Sequence, residues 1–133
     1  VTSKRIAILG FAFKADTNDT REAPAIRICR DLLEEGAQLA IYDPKVSKLQ
    51  IMADLGPPSD LGAWESTYSP ADAVVGADAV LILTEWGSFA DLNWRQFAAL
   101  MRHPAWVFDA RDCINESEVR GAGLSVWCVG KGE

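Results

Sequence analysis

Apolar and polar positions alternate in blocks along this chain, and the blocks switch period from strand to helix and back. Residues 5 to 10 form a short apolar run, Ile6-Ala7-Ile8-Leu9, that ends in Gly10 and predicts a first strand. Ala25, Ile28, Cys29, Leu32 and Leu33 then fall on one helical face, with Arg27, Arg30, Asp31, Glu34 and Glu35 on the other. Asp19 with Glu22 offers a capping box and Pro24 fits a first turn, so the helix start is bracketed by these residues. Gly36 is placed to end it. Leu39 to Tyr42 reads as a second strand, closed by Asp43-Pro44.

The signal weakens from Lys45 to about Gly62, where Val46, Leu49 and Met52 have helical spacing before Gly56-Pro57-Pro58. Trp64 to Tyr68 predicts a short edge strand, and Ser69-Pro70 starts a short helix through Val75, ended by Gly76. Ala79 to Leu83 is a continuous apolar run, as expected of a strand covered on both faces. Asn93 is placed to cap a helix carrying Phe97, Leu100 and Met101. Trp106-Val107-Phe108 reads as another buried strand, Glu116 to Arg120 as a short helix, and Leu124 to Val129 as the last strand. Strands separated by helices imply right-handed parallel crossovers. The expected fold is a three-layer, Rossmann-like α/β domain with a mainly parallel sheet, spanning residues 1–133 as one domain.

Composition narrows the function. The net charge is -6 and no basic face is evident, which argues against nucleic acid as a partner. No apolar stretch approaches membrane-spanning length, so no membrane partner is expected. Cys29, Cys113 and Cys128 form no CxxC pair and are odd in number, which disfavours zinc and disulfides and fits a reducing, cytoplasmic setting. Cys29 and Cys128 read as buried core residues, and His103 as a loop residue before Pro104. The chain begins with Val1 rather than Met, and we expect a piece of a longer protein with residues 1–3 near a domain boundary.

In open parallel sheets, ligands bind beyond the carboxyl ends of the strands. Phe13, Lys14 and Arg21 follow the first strand, and Asp43 follows the second. Thr84, Glu85 and Trp86 follow the strand at 79–83, and Asp109 and Arg111 follow the next. Lys14 and Arg111 should therefore converge on one edge, two cations kept at an anion site against the overall charge. Each residue has a plainer reading. Lys14 fits a solvated loop equally well, Phe13 fits the core, and Arg21 fits an ion pair with Asp16, Asp19 or Glu22. Arg111 can pair with Asp109 or Asp112. Asp43 stands where dinucleotide folds hold a ribose hydroxyl, but an Asp-Pro turn explains it as well. Trp86 and Phe89 read as packing residues. Gly10 is followed by Phe11, Ala12, Phe13 and Lys14, so neither GxGxxG nor GxxxxGK[ST] is present. A phosphate bound by side chains fits this loop better than a dinucleotide held on bare backbone.

The run Gly10-Phe11-Ala12-Phe13-Lys14 through Thr17, Asp19, Arg21-Glu22 and Pro24-Ala25, followed by Glu35-Gly36-Ala37 and Tyr42-Asp43-Pro44-Lys45, resembles the C-terminal domain of the UDP-glucose 6-dehydrogenase family. Thr84-Glu85-Trp86 and Phe108-Asp109-Ala110-Arg111 extend the likeness over nearly the whole chain. The resemblance implies an enzyme with an N-terminal NAD-binding domain, a central dimerisation region and this UDP-sugar-binding domain. Such enzymes oxidise UDP-glucose to UDP-glucuronate with two NAD, through a thiohemiacetal and thioester on a catalytic cysteine. It implies that Phe13, Lys14 and Arg111 contact the UDP-sugar and that Arg21 reaches the NAD. The catalytic cysteine's motif is not in this chain, so no catalytic residue is expected here and the fragment alone should be inactive. Expected partners are UDP-glucose, NAD, the remaining domains of the same polypeptide and, at full length, a homo-oligomer. The alternatives are a dehydrogenase for another nucleotide sugar, or a free-standing nucleotide-sensing or assembly module; a phosphoacceptor receiver domain is a more distant one. Five tryptophans hint at an interdomain or subunit surface, which core packing would also explain.

Overall fold

Six short apolar segments pair into one all-parallel sheet of order β3-β2-β1-β4-β5-β6 in a computed structural model of the chain. The structure describes residues 4–12, 19–20, 23–58, 62–112 and 114–128. The strands are β1 (Arg5–Leu9), β2 (Gln38–Tyr42), β3 (Ala63–Ser66), β4 (Ala79–Ile82), β5 (Trp106–Asp109) and β6 (Ser125–Cys128). The helices are α1 (Pro24–Glu34), α2 (Lys48–Leu55), α3 (Pro70–Val74), α4 (Trp94–Leu100) and α5 (Glu116–Gly121), with a 3-10 turn over Gly87–Asp91. The sequence is therefore read correctly as Rossmann-like, with strand order reversing between β1 and β4.

Local chemistry explains most boundaries. Gly36, at φ 89°, lets its own N–H reach Leu33 O and the Ala37 N–H reach Leu32 O, closing α1 as a Schellman motif. Ser47, Ser69, Asn93 and Asn115 each accept an N–H three residues on, capping α2, α3, α4 and α5. The start of α1 falls at Pro24, one of the two readings its sequence offered. Its N-cap is Ala23 with no side-chain cap, and Pro24 supplies the preset φ, while Glu22 lies outside the described residues. The face of α2 departs from expectation: Ile51 is buried, whereas Leu49 is 82% exposed.

Register divides the sheet into two unequal faces. Ala7, Leu9, Ala40, Val80, Ile82, Val107, Val126 and Cys128 are buried beneath the α3–α4–α5 side. On the opposite face α1 and α2 cover β1, β2 and β3. Beyond β1 that face is open: Trp106 is 44% exposed, Phe108 36% and Trp127 41%, and Leu81 is half-buried. The expectations that β5 is buried and β4 covered on both faces hold for one face only. All helices after β3 lie on the other side, so nothing in the described residues roofs β4 to β6.

Cys29 and Cys128 are buried as expected, whereas Cys113 lies outside the described residues. Burial pushes the Cys29 thiol up to about 12. A native thiol that keeps its proton longer than the unfolded one stabilises the fold fully below the ordinary thiol value. Stability should fall as pH rises from 9.0 towards about 12, and Cys29 should label with a thiol reagent only on unfolding. A denaturation series against pH with mass-resolved labelling checks both.

Candidate functional site at the carboxyl edge of the sheet

The strand ends at the order reversal are bound to one another through the main chain. Gly10 N–H donates to Tyr42 O at 2.7 Å, Leu83 N–H to Leu9 O at 3.0 Å, and Ala110 N–H to Ile82 O at 3.1 Å. Gly10 has φ +97°, and a Cβ there would stand 2.5 Å from Thr84 Cβ and 2.7 Å from Thr84 N. Thr84, fully buried, then donates its hydroxyl to Ala12 O at 2.8 Å. Glycine is required here for close approach of β1's exit to β4's exit, as well as for its φ.

Asp43 is the centre of this edge. Its carboxylate is buried, and Oδ2 accepts from Phe11 N–H at 2.7 Å, Ala12 N–H at 3.0 Å and Trp86 Nε1–H at 3.0 Å. Oδ1 accepts from Lys45 N–H at 2.9 Å and Val46 N–H at 3.1 Å. Five donors fill the lone-pair positions of an ionised carboxylate and offset its desolvation. Of its two readings, the Asp-Pro turn is the one seen, and the carboxylate also clamps the loop after β1 and the segment after β4. Trp86 and Phe89 are packing residues as expected, at 5% and 0% exposure, with Phe89 tilted against Tyr42 at 6.4 Å. Desolvation, and then the neighbouring Asp43 charge, raise the Tyr42 phenol.

Asp109 plays the same part at the end of β5. Fully buried, it accepts Arg111 N–H at 3.0 Å on Oδ1 and Ile114 N–H at 3.1 Å on Oδ2. Asp112 takes a left-handed φ of 57° inside that loop. The Arg111 side chain turns back over β4, donating Nε–H to Leu83 O at 3.0 Å and lying 3.9 Å from Glu85 Oε2. A third of it is exposed. Arg111 thus stands beside Thr84, the residue bonded to Ala12, one strand over from the loop that leads to Phe13 and Lys14.

Phe13, Lys14 and Arg21 lie outside the described residues. His103 is a loop residue as expected, with its Nε2 2.7 Å from Ala98 O. Among the described residues no group of three or more His, Cys, Asp or Glu side chains is arranged to hold a metal, and no helix is long and apolar enough to cross a membrane. Sequence reasoning missed the clamping roles of Asp43 and Asp109. Their signal was present, an aspartate directly at or after a parallel strand's end followed by a turn, but the turn alone does not show that the carboxylate reaches a second strand.

Residues 7–116 match the UDP binding domain of the UDP-glucose/GDP-mannose dehydrogenase family, and the chain belongs to that family. It is 44% identical over 138 residues to UDP-glucose 6-dehydrogenase of Drosophila melanogaster, covering 98% of this chain and 29% of the relative. It is 45% identical over 139 residues to UDP-glucose 6-dehydrogenase of Bos taurus, covering 98% and 28%. Among solved structures it resembles the UDP-D-ManNAc dehydrogenase of Pyrococcus horikoshii, with TM-score 0.76 and 29% identity over 98% of this chain and 26% of that one. A UDP-glucose dehydrogenase of Pyrobaculum islandicum matches with TM-score 0.71 and 25% identity, over 96% and 26%. The chain therefore spans less than a third of the length of these relatives.

Two substitutions test the edge. Gly10→Ala should destabilise the fold by about 3 kcal/mol, from the left-handed φ together with overpacking against Thr84. Asp43→Asn exchanges one acceptor oxygen for a donor facing N–H groups and should cost on the order of 3 kcal/mol. Chemical denaturation reads both; an unchanged midpoint for either variant contradicts the clamp.

Proposed function

We propose that this chain is the UDP-sugar-binding domain of an NAD-dependent UDP-glucose 6-dehydrogenase, which oxidises UDP-glucose to UDP-glucuronate with two NAD. The family match supports this reading, and the observation that carries it furthest is Arg111, whose side chain reaches from the end of β5 to Leu83 O at the exit of β4, next to the strand-order reversal. A guanidinium held by Leu83 O and Glu85 is preoriented, and its exposed part can offer paired donors to a diphosphate. In the proposal Lys14 supplies the second cation and Phe13 an apolar wall for the nucleotide. Arg21 reaches the NAD across an interdomain cleft.

The first crevice of the sheet does not fit NAD in the usual manner. The ribose-binding acid of dinucleotide folds corresponds to Asp43, whose oxygens here accept five N–H groups of the protein itself. Phe11 and Ala12 occupy the positions after Gly10. NAD, which supplies the hydride acceptor when bound, is on this reading held mainly by a domain outside this chain, as is the catalytic cysteine. The chain's own residues bind and orient the UDP-sugar, and the 133-residue piece alone does not turn over substrate. A free-standing sensing module is disfavoured by the extended identity to dehydrogenases.

Titrating UDP-glucose, UDP and GDP-mannose into the full-length polypeptide while following NAD reduction tests the assignment. UDP-glucose should be turned over and UDP should compete. Lys14→Ala and Arg111→Ala should each raise KM or lower kcat by roughly one to three orders of magnitude. Wild-type kinetics in both variants remove the proposed binding role.

A further inference from the structure

The open half of the sheet is apolar, aromatic and bounded. Leu81, Phe108 and Trp127 stand in register across β4, β5 and β6, with Trp106 beside them, stacked on Phe108 at 5.7 Å and 16°. Only parallel sheets covered on both faces are common, because their strands carry apolar residues on each side. The cleft here has a volume of about 550 Å³. Leu32 of α1 and Ile6 of β1 form one wall, and Lys4, Arg102 and His103 contribute cationic or titratable groups along its margin. Asp78 also lines it, within 3.6 Å of Arg102.

We infer that this face is the seat of an apolar helix from the segment preceding Val1 in the longer polypeptide. The inference rests on the reading of the chain as one domain of a full-length dehydrogenase. Three observations select this occupant. Strands are spaced by about 4.8 Å, so β4 to β6 span about 10 Å between outer strands, the breadth of one helix laid beside α1. Lys4, immediately before β1, lines the cleft, so a chain arriving there reaches the face without crossing the molecule. More than two thirds of the length of the matched relatives lies beyond the part this chain matches, which is ample for such a helix. The helix presents apolar residues to Leu81, Trp106, Phe108 and Trp127, and carboxylates at its flank to Lys4 and Arg102. The tryptophan content of the sequence divides accordingly: Trp64, Trp86 and Trp94 pack this domain, and Trp106 and Trp127 pack the incoming helix.

Hydroxyl-radical footprinting of the unmodified full-length polypeptide tests the inference against internal references. Trp106 and Trp127 should oxidise as slowly as buried Trp64, in contrast to Tyr68, which is 96% exposed. Oxidation of both at the rate of an open side chain overturns it. A photo-reactive p-benzoylphenylalanine placed at position 127 then identifies the occupant. The expected adduct stays at monomer mass on a denaturing gel and joins position 127 to a peptide upstream of Val1. A covalent dimer, or an adduct to residues after Glu133, overturns the inference in favour of a second copy or a following segment. UDP-glucose binding is measured on the same unmodified sample. Binding with exposed tryptophans sinks only the docking, whereas protected tryptophans without UDP-glucose or UDP binding sink only the nucleotide reading.

Discussion

A buried carboxylate must be satisfied on both oxygens, and at Asp43 that requirement organises the carboxyl edge. Its five donors come from the loop after β1, the turn after β2 and the segment after β4. These segments are far apart in sequence, and β4 and β2 do not pair directly. The carboxylate is therefore a tertiary clamp rather than a turn former alone. Its removal would leave several N–H groups facing one another without an acceptor, a larger penalty than the loss of any one bond. Asp109 repeats the arrangement on a smaller scale at the end of β5. Two acidic side chains thus hold the strand-end loops, one of which carries Arg111.

On the proposed reading, the same edge lets an acidic protein keep a site for an anion. Asp43 and Asp109 are buried and direct their charge into main-chain donors and, for Asp43, the Trp86 indole, so their positions near the rim do not expose two more carboxylates there. Glu85 stands 3.9 Å from Arg111 and fixes the guanidinium's orientation together with Leu83 O. In a site of this kind the cation is positioned before a ligand arrives, which lowers the ordering cost of binding.

Much of this was legible in the sequence, because strand-helix alternation is carried by local pattern. β1, β2, the edge strand β3 and the helices α3 and α4 follow from apolar period and from Ser69 and Asn93. The α2 face was misread because Leu49 and Val46 share helical spacing, yet Val46 precedes the helix and Ile51 makes the core contact. The open face of β5 was invisible for a different reason. Trp106 and Phe108 are apolar whether they meet this domain's core or something beyond it, and composition does not record which helix covers them. The clamp was half legible: Asp43 and Trp86 were each singled out, but their 3.0 Å contact is made across 43 positions of sequence.

The carboxylate frames grip the backbone almost throughout. Among the described residues, the Trp86 indole and the peptide N–H groups of Phe11, Ala12, Lys45, Val46, Arg111 and Ile114 donate to Asp43 and Asp109. Every residue type except proline carries that peptide donor. The hydrogen bonds themselves therefore do not fix which side chains these loops carry. Proline is the one replacement that the hydrogen-bonding scheme itself forbids at all six positions.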